Sequence, residues 1–118
     1  MKEMMNTSLG EVTIDNEAIA EYAGGAAVGC MGVVGMAAAG MRDGFGRLLN
    51  RESLTRGIYV KRKGSHVSLD LHVIIAYGSN IPAIGNNLIQ SVKYAVEEHT
   101  GLRVDQIRVF VDGVRVID

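Results

Sequence analysis

The stretch from Ile58 to Tyr77, IYVKRKGSHVSLDLHVIIAY, decides the fold because apolar and polar side chains alternate along its second half. Such alternation predicts a strand with one buried and one exposed face. The buried face carries Val67, Leu69, Leu71, Val73, Ile75 and Tyr77, and the other face carries His66, Ser68, Asp70, His72, Ile74 and Ala76. The turn residues Lys63-Gly64-Ser65 precede this strand, so the stretch predicts a β-hairpin with strands at 58–62 and 66–77.

A helix follows the hairpin. Asn80 supplies a capping oxygen, Pro82 fits the first helical turn, and Gly101 suits a left-handed C-terminal end. Its apolar stripe consists of Ile84, Leu88, Val92, Ala95 and Val96. Lys93 and Glu97 lie four residues apart on the outer face, where they form a weak pair at most.

A final strand is predicted after this helix. The inward face carries Ile107, Val109 and Val111, and the outward face carries Arg108 and Asp112. The strand is predicted to end at a turn formed by Asp112-Gly113.

Upstream of the hairpin, the pattern predicts a short strand and a helix. Residues 11–14 alternate like a strand, and Asp15 or Asn16 supplies an N-cap oxygen for a helix that begins near Glu17. Gly24 and Gly25 each cost about 1 kcal/mol relative to Ala in a helix interior, so this helix depends on tertiary packing.

The run from Tyr22 to Met41 has no charged residue and, at 20 residues, matches the length of a membrane span. Gly and Ala dominate it, however, and they give little driving force for insertion. We therefore predict that the run is broken into a helix ending near Gly29 and a buried strand at 33–37, and that the chain has no direct membrane span.

These elements predict one α+β domain over residues 1–118, with the first eight residues flexible. Its architecture is a two-layer sandwich, in which a mixed β-sheet of four to five strands is covered on one face by two helices. A chain of 118 residues buries enough surface to fold without disulfides, and Cys30 has no internal partner.

The positive charge is concentrated in residues 42–63, although the net charge of the chain is −1. The basic side chains form a candidate patch for an anionic partner: Arg42, Arg47, Arg51, Arg56, Lys61, Arg62 and Lys63. Two interpretations remain open, since such charges also protect the solvated edges of sheets from aggregation. The near-neutral net charge and an aromatic content of 5% argue against a nucleic-acid-binding protein.

Ser68, Asp70 and His72 are residue types found in hydrolases and metal sites. Residues two apart on a strand are separated by about 6.6 Å, which is too far for direct hydrogen bonds between them. His99 is the only histidine besides His66 and His72. We therefore predict no catalytic, metal or cofactor site, and the GFG sequence at 44–46 lacks the remaining residues of a phosphate-binding loop.

The residues from Leu54 to Val114 closely resemble the alkaline shock protein family of Gram-positive bacteria, the envelope stress response proteins. The most distinctive signature is Tyr77-Gly78 and Asn80-Ile81-Pro82, a long helix, and Thr100-Gly101-Leu102. GEVTIDNEAIAEYAG at 10–24 and GVVGM at 32–36 extend the resemblance to nearly the whole chain. The first helix departs from the family in its small residues at 24–27, which puts a shared partner surface there in doubt.

The resemblance implies a small, non-enzymatic cytoplasmic protein connected with cell envelope homeostasis and stress. It also implies a homo-oligomer and a membrane-anchor protein as partner, and therefore membrane association only through that partner. The first hypothesis is accordingly an interaction or scaffold protein, with edge strands as the route to self-association. The alternative is a regulatory anion-, lipid- or RNA-binding module that uses the basic segment 42–63.

Overall fold

The computed structural model describes residues 3–7, 10–37 and 57–116 of the chain. Six strands and two helices follow in the order β1 (Glu3–Thr7), β2 (Gly10–Ile14), α1 (Asn16–Val28), β3 (Val33–Met36), β4 (Ile58–Lys63), β5 (His66–Ala76), α2 (Ile81–Thr100) and β6 (Arg103–Arg115). The hairpin, both helices and the short strand at 33–36 therefore match the sequence prediction closely.

Strand β5 is the centre of a mixed four-stranded sheet. β6 pairs with it in parallel along one edge. A parallel neighbour requires a crossover, and α2 provides it. β3 and β4 both pair antiparallel with the other edge of β5, one after the other along its length. The predicted α+β class with a mixed sheet is confirmed.

An N-terminal hairpin lies outside this sheet. β1 pairs antiparallel with β2, from Glu3 opposite Ile14 to Thr7 opposite Gly10. The sequence pattern predicts β2 but not β1, and the expectation that the first eight residues are flexible is wrong for 3–7. The structure therefore adds a two-stranded sheet to the predicted architecture.

The core lies between one face of the four-stranded sheet and the two helices. It contains the predicted inward residues of β5 from Val67 to Ile75, and α2 contributes Ile84, Leu88, Val92 and Val96. From α1 it receives Ile19, Ala20, Ala23 and Ala27. The small side chains of α1 are thus core residues, and the predicted two-layer packing on one face is confirmed. Tyr77, predicted to be inward, follows the end of β5 and is 74% exposed.

Both ends of α2 are capped as predicted. The Asn80 side chain accepts a hydrogen bond from the Ala83 N–H, and Gly101 has a φ of 75°. Thr100 has a role that no sequence pattern indicated: its hydroxyl donates to the Val96 carbonyl and accepts from the Leu102 N–H. Thr100 is buried, and its hydroxyl satisfies backbone groups at the point where the chain turns from α2 towards β6.

Helix α1 ends at Val28, and the chain then turns through Gly32 into β3. The uncharged run is therefore broken as predicted, and none of the described helices has the length and apolarity needed to span a bilayer. Asp15 is the N-cap residue, but its side chain makes no capping hydrogen bond with the helix. The side-chain capping hydrogen bond predicted for the start of α1 is therefore not formed by Asp15.

Strand β6 differs from the prediction at its end. It continues through Asp112-Gly113 to Arg115, so the predicted turn is wrong. The pairing with β5 shifts register twice, because Asp105 and Asp112 are each one extra residue on β6. A β-bulge absorbs the Asp-Gly pair within the strand, which explains why a turn signature did not end it.

The edge of β5 shared by β3 and β4 is interrupted at His72. The His72 carbonyl accepts from the Ala37 N–H at the end of β3, and its N–H donates to the Gly57 carbonyl at the start of β4. A Cβ on Gly57 would lie 2.8 Å from the Ala37 oxygen and 2.9 Å from the His72 oxygen. Gly57 is therefore required for the close approach of three backbone segments.

Candidate interaction surface

The face of the four-stranded sheet opposite the two helices carries polar and aromatic side chains, and we refer to it as the open face. The described helices pack on the other face, so neither of them covers it. From the strand registers, the open face consists of Tyr59, Lys61 and Lys63 of β4, His66, Ser68, Asp70 and His72 of β5, and Arg103, Gln106, Arg108 and Phe110 of β6.

Three side-chain pairs connect β5 to β6 across the open face. His66 Nδ1 lies 2.8 Å from an Asp105 carboxylate oxygen, and His72 Nδ1 lies 2.9 Å from an Asp112 oxygen. Both aspartates are the bulged residues of β6. The bulges therefore aim two carboxylates at two histidines, which is a common use of this backbone irregularity.

The third pair is Asp70 with Arg108. The Arg108 guanidinium donates from Nε and from one terminal nitrogen to the two Asp70 oxygens, at 2.9 and 2.7 Å. These hydrogen bonds lower the pKa of the Asp70 carboxyl below its ordinary value, and the nearby positive charge adds to the effect. The pair is bidentate and fixes the register at the middle of the two strands.

An aromatic cluster lies beside the His72–Asp112 pair. The His72 and Phe110 rings stack with centroids 4.7 Å apart, and Tyr59 meets the His72 ring edge-on at 5.4 Å. The Arg108 guanidinium lies 5.4 Å from the Phe110 centroid. These rings contact one another within a single sheet, and their packing stabilises the open face.

The residues weighed for catalysis or metal binding do not converge. Asp70 is held by Arg108 and His72 by Asp112, so neither serves the other. Within the described ranges, no group of three His, Cys, Asp or Glu side chains could hold a metal ion. The two histidines were candidates from the sequence, but their pairing with Asp105 and Asp112 was not foreseen, because a bulge has no reliable pattern in one sequence.

The structure divides the predicted anionic-partner patch. Lys61 and Lys63 are exposed on the open face, whereas Arg62 points to the opposite side of β4. Arg62 donates to the Ile14 carbonyl and to the Asn16 side chain, so it anchors the start of α1. Of the other members, Arg42, Arg47, Arg51 and Arg56 lie outside the described residues.

The outer edge of β6 is the second surface available to a partner. In the described part of the chain, no strand pairs with this edge of β6. On the helix side, exposure rises along the strand from buried Val104 to Val111 at 37%, Val114 at 52% and Val116 at 74%. An edge of 13 residues with exposed valines is long for a sheet and is a template for strand addition.

Residues 4–116 match the alkaline shock protein 23 family, which has a cell envelope-related function. Over 113 residues the chain is 41% identical to the uncharacterized protein YloU of Bacillus subtilis (strain 168), with 95% of this chain and 94% of YloU covered. It is 27% identical over 117 residues to a stress response regulator gls24 homolog of Streptococcus pyogenes serotype M3 (strain SSI-1), with 97% of this chain and 64% of that protein covered.

Among solved structures, the copper form of MamM CTD is similar, with a TM-score of 0.53 and 14% sequence identity. The match covers 87% of this chain and 90% of that chain. At this identity the likeness supports the fold alone.

Proposed function

This chain belongs to the alkaline shock protein 23 family, and from that premise we propose that it is a non-enzymatic scaffold protein of the cytoplasm that self-associates and docks to an envelope-associated partner. The family function is cell envelope-related. A stress response regulator gls24 homolog is among its relatives, which favours a role in envelope stress.

The observation that carries the proposal is the unpaired outer edge of β6 in the described part of the chain, together with the exposed valines beside it. Backbone N–H and C=O groups on a free edge form hydrogen bonds with an added strand. The charged side chains at the centre of the open face are already paired with each other. Such a distribution suits a protein that works through its edges rather than through a reactive cleft.

Self-association is tested by size-exclusion chromatography with light scattering over a range of protein concentrations. We expect a mass of at least two chains that falls on dilution, and a monomer at every concentration would contradict the proposal.

Partner docking is tested by fractionating native cells after chemical cross-linking. We expect the chain in the membrane fraction, cross-linked to an integral membrane protein, and deletion of that protein should release the chain to the soluble fraction.

A second candidate function is anion binding on the open face, and one observation favours it. Lys61 and Lys63 are exposed, and within the part of the chain that the structure describes neither forms an ion pair. Two cations side by side on one edge attract phosphates. Titration with anionic lipid vesicles and with an RNA oligonucleotide tests this function: binding should weaken steeply with salt and be lost on Lys61→Gln with Lys63→Gln. A salt-independent signal would exclude it.

A further inference from the structure

On one edge of β6 lie backbone groups that no strand in the described ranges engages, and the pairing with β5 fixes their positions. The Arg103 N–H donates to Ser65 at one end of the pairing with β5, and the Arg115 carbonyl accepts from Tyr77 at the other. Alternate residues of a strand direct their backbone groups to opposite edges. Following the register between these ends, Ile107, Val109 and Val111 direct their N–H and C=O groups away from β5.

These three residues lie in a regular segment between the two bulges. The pairing with β5 runs without a shift from Gln106 opposite Ser68 to Val111 opposite Val73. This edge therefore offers its groups with standard strand spacing over 106–111, and an antiparallel strand centred on Val109 meets no irregularity between Ile107 and Val111.

We propose that the occupant of this edge is a second copy of the chain, added antiparallel about a two-fold axis that passes beside Val109. The proposal rests on the self-association proposed above and names its surface and register. Val109 then forms a hydrogen-bonded pair with Val109 of the second copy, and Ile107 pairs with Val111 of the second copy on either side. A sheet of this kind continues across both copies.

Side-chain chemistry is favourable in this register. On the helix side the opposed residues are all apolar: Val109 with its own copy, and Ile107 with Val111. On the open face Arg108 lies opposite Phe110 of the second copy, an arrangement that favours cation–π contact. Moving the axis by one residue to Arg108 would instead place two like charges directly opposite one another, which is destabilising.

The other edge of the sheet is a poorer site for a second copy. β4 has only six residues, and Lys61 and Lys63 point to the same face. An antiparallel pairing centred on Lys61 would oppose Lys61 to its own copy, with repulsion at the centre. Short length and exposed lysines are features that protect an edge from pairing.

Disulfide trapping tests the register in the full chain, with Cys30→Ala as the background. Opposed residues in a hydrogen-bonded antiparallel pair have Cα atoms about 5.5 Å apart, within disulfide range. We expect Val109→Cys to form a covalent dimer by itself under mild oxidation. Neither Ile107→Cys nor Val111→Cys should form a covalent dimer by itself. A covalent dimer should form when the two variants are mixed. A covalent dimer of Phe110→Cys alone, without one of Val109→Cys, would overturn the register.

A second pair of variants tests the surface without cross-linking. Val111→Lys places two charges in the proposed interface, and Val28→Lys makes the same change on α1 at an equal exposure of 37%. We expect Val111→Lys to raise the dissociation constant of the dimer by at least tenfold and Val28→Lys to leave it unchanged, with similar melting temperatures. A wild-type dimer that resists Val111→Lys and gives no Val109→Cys product would overturn this inference and leave the proposed function intact. A wild-type monomer would overturn both.

Discussion

Arg108 on β6 donates hydrogen bonds to both carboxylate oxygens of Asp70 on β5, and this pair lies at the middle of the two parallel strands. The pair is half open to solvent, with Asp70 20% exposed and Arg108 52% exposed. Its contribution is therefore modest and depends on pH. The pH dependence follows from the direction of the Asp70 pKa shift.

We predict that Asp70→Asn lowers the melting temperature near neutral pH and has a smaller effect in acid. The folded-state pKa of Asp70 is lowered by Arg108, so the stabilisation is present above the ordinary carboxyl pKa and is lost as the pH falls through the lowered value. Thermal melts of wild type and variant from neutral pH to below about pH 4 measure this. Arg108→Gln provides the control, because Asp70→Asn should have little effect in its background. A melting difference that is constant across this range would contradict the prediction.

Replacing Gly25 or Gly85 with alanine should stabilise the protein. Both glycines lie inside helices, and a Cβ at either would meet no atom within 4 Å. Each substitution should raise the free energy of unfolding by about 0.5–1 kcal/mol, as measured by urea denaturation. Gly57→Ala is the matched control in a crowded site, where its Cβ would clash with backbone oxygens. Gly57→Ala should lower the free energy of unfolding by roughly 1–3 kcal/mol. If backbone entropy alone governed these positions, all three substitutions would raise the free energy of unfolding instead.

The hydroxyl of Thr100 should be required for the connection from α2 to β6. Thr100→Val removes the acceptor of the Leu102 N–H in a buried site, so the free energy of unfolding should fall by about 1–3 kcal/mol. Thr100→Ser keeps both hydrogen bonds and should retain more of the stability than the valine variant. A larger loss in the serine variant than in the valine variant, measured by chemical denaturation, would show that packing of the methyl group dominates instead.

Arg62 and Lys63 are neighbours in sequence, but substituting them should have very different effects on the free energy of unfolding. Arg62 donates to Ile14 and Asn16 at the start of α1, whereas Lys63 is exposed on the open face. Arg62→Gln should lower the free energy of unfolding by about 1.5–3 kcal/mol, because the lost hydrogen bonds involve a charged donor. Lys63→Gln should change it by less than about 0.5 kcal/mol. Similar losses in both would indicate that general electrostatic effects outweigh the specific contacts.

Periodicity made most of the fold predictable from the sequence. The alternation along β5 and the caps at Asn80 and Gly101 are local signals, and local signals survive in a single sequence. The two bulges of β6 are not local in this sense, because an extra residue is defined only relative to the partner strand. A turn was therefore predicted at Asp112-Gly113, and none of the three pairs on the open face was foreseen.

For the charged patch too, the sequence predicts which face a side chain occupies but not which distant residue it contacts. Proximity in sequence suggested that Lys61, Arg62 and Lys63 act together, but the twofold period of a strand sends Arg62 to the opposite face. The pattern on β4 was sufficient to foresee this division. The partner of Arg62 was not foreseeable, since Ile14 and Asn16 are more than 45 residues away in sequence.

Ala37 and Gly57 both bond to the backbone of His72, so the end of β3 and the start of β4 meet at a single residue of β5. The two strands thus share one point of attachment on the central strand, although they are distant in sequence. A displacement of the His72 backbone would therefore be transmitted to both strands at once.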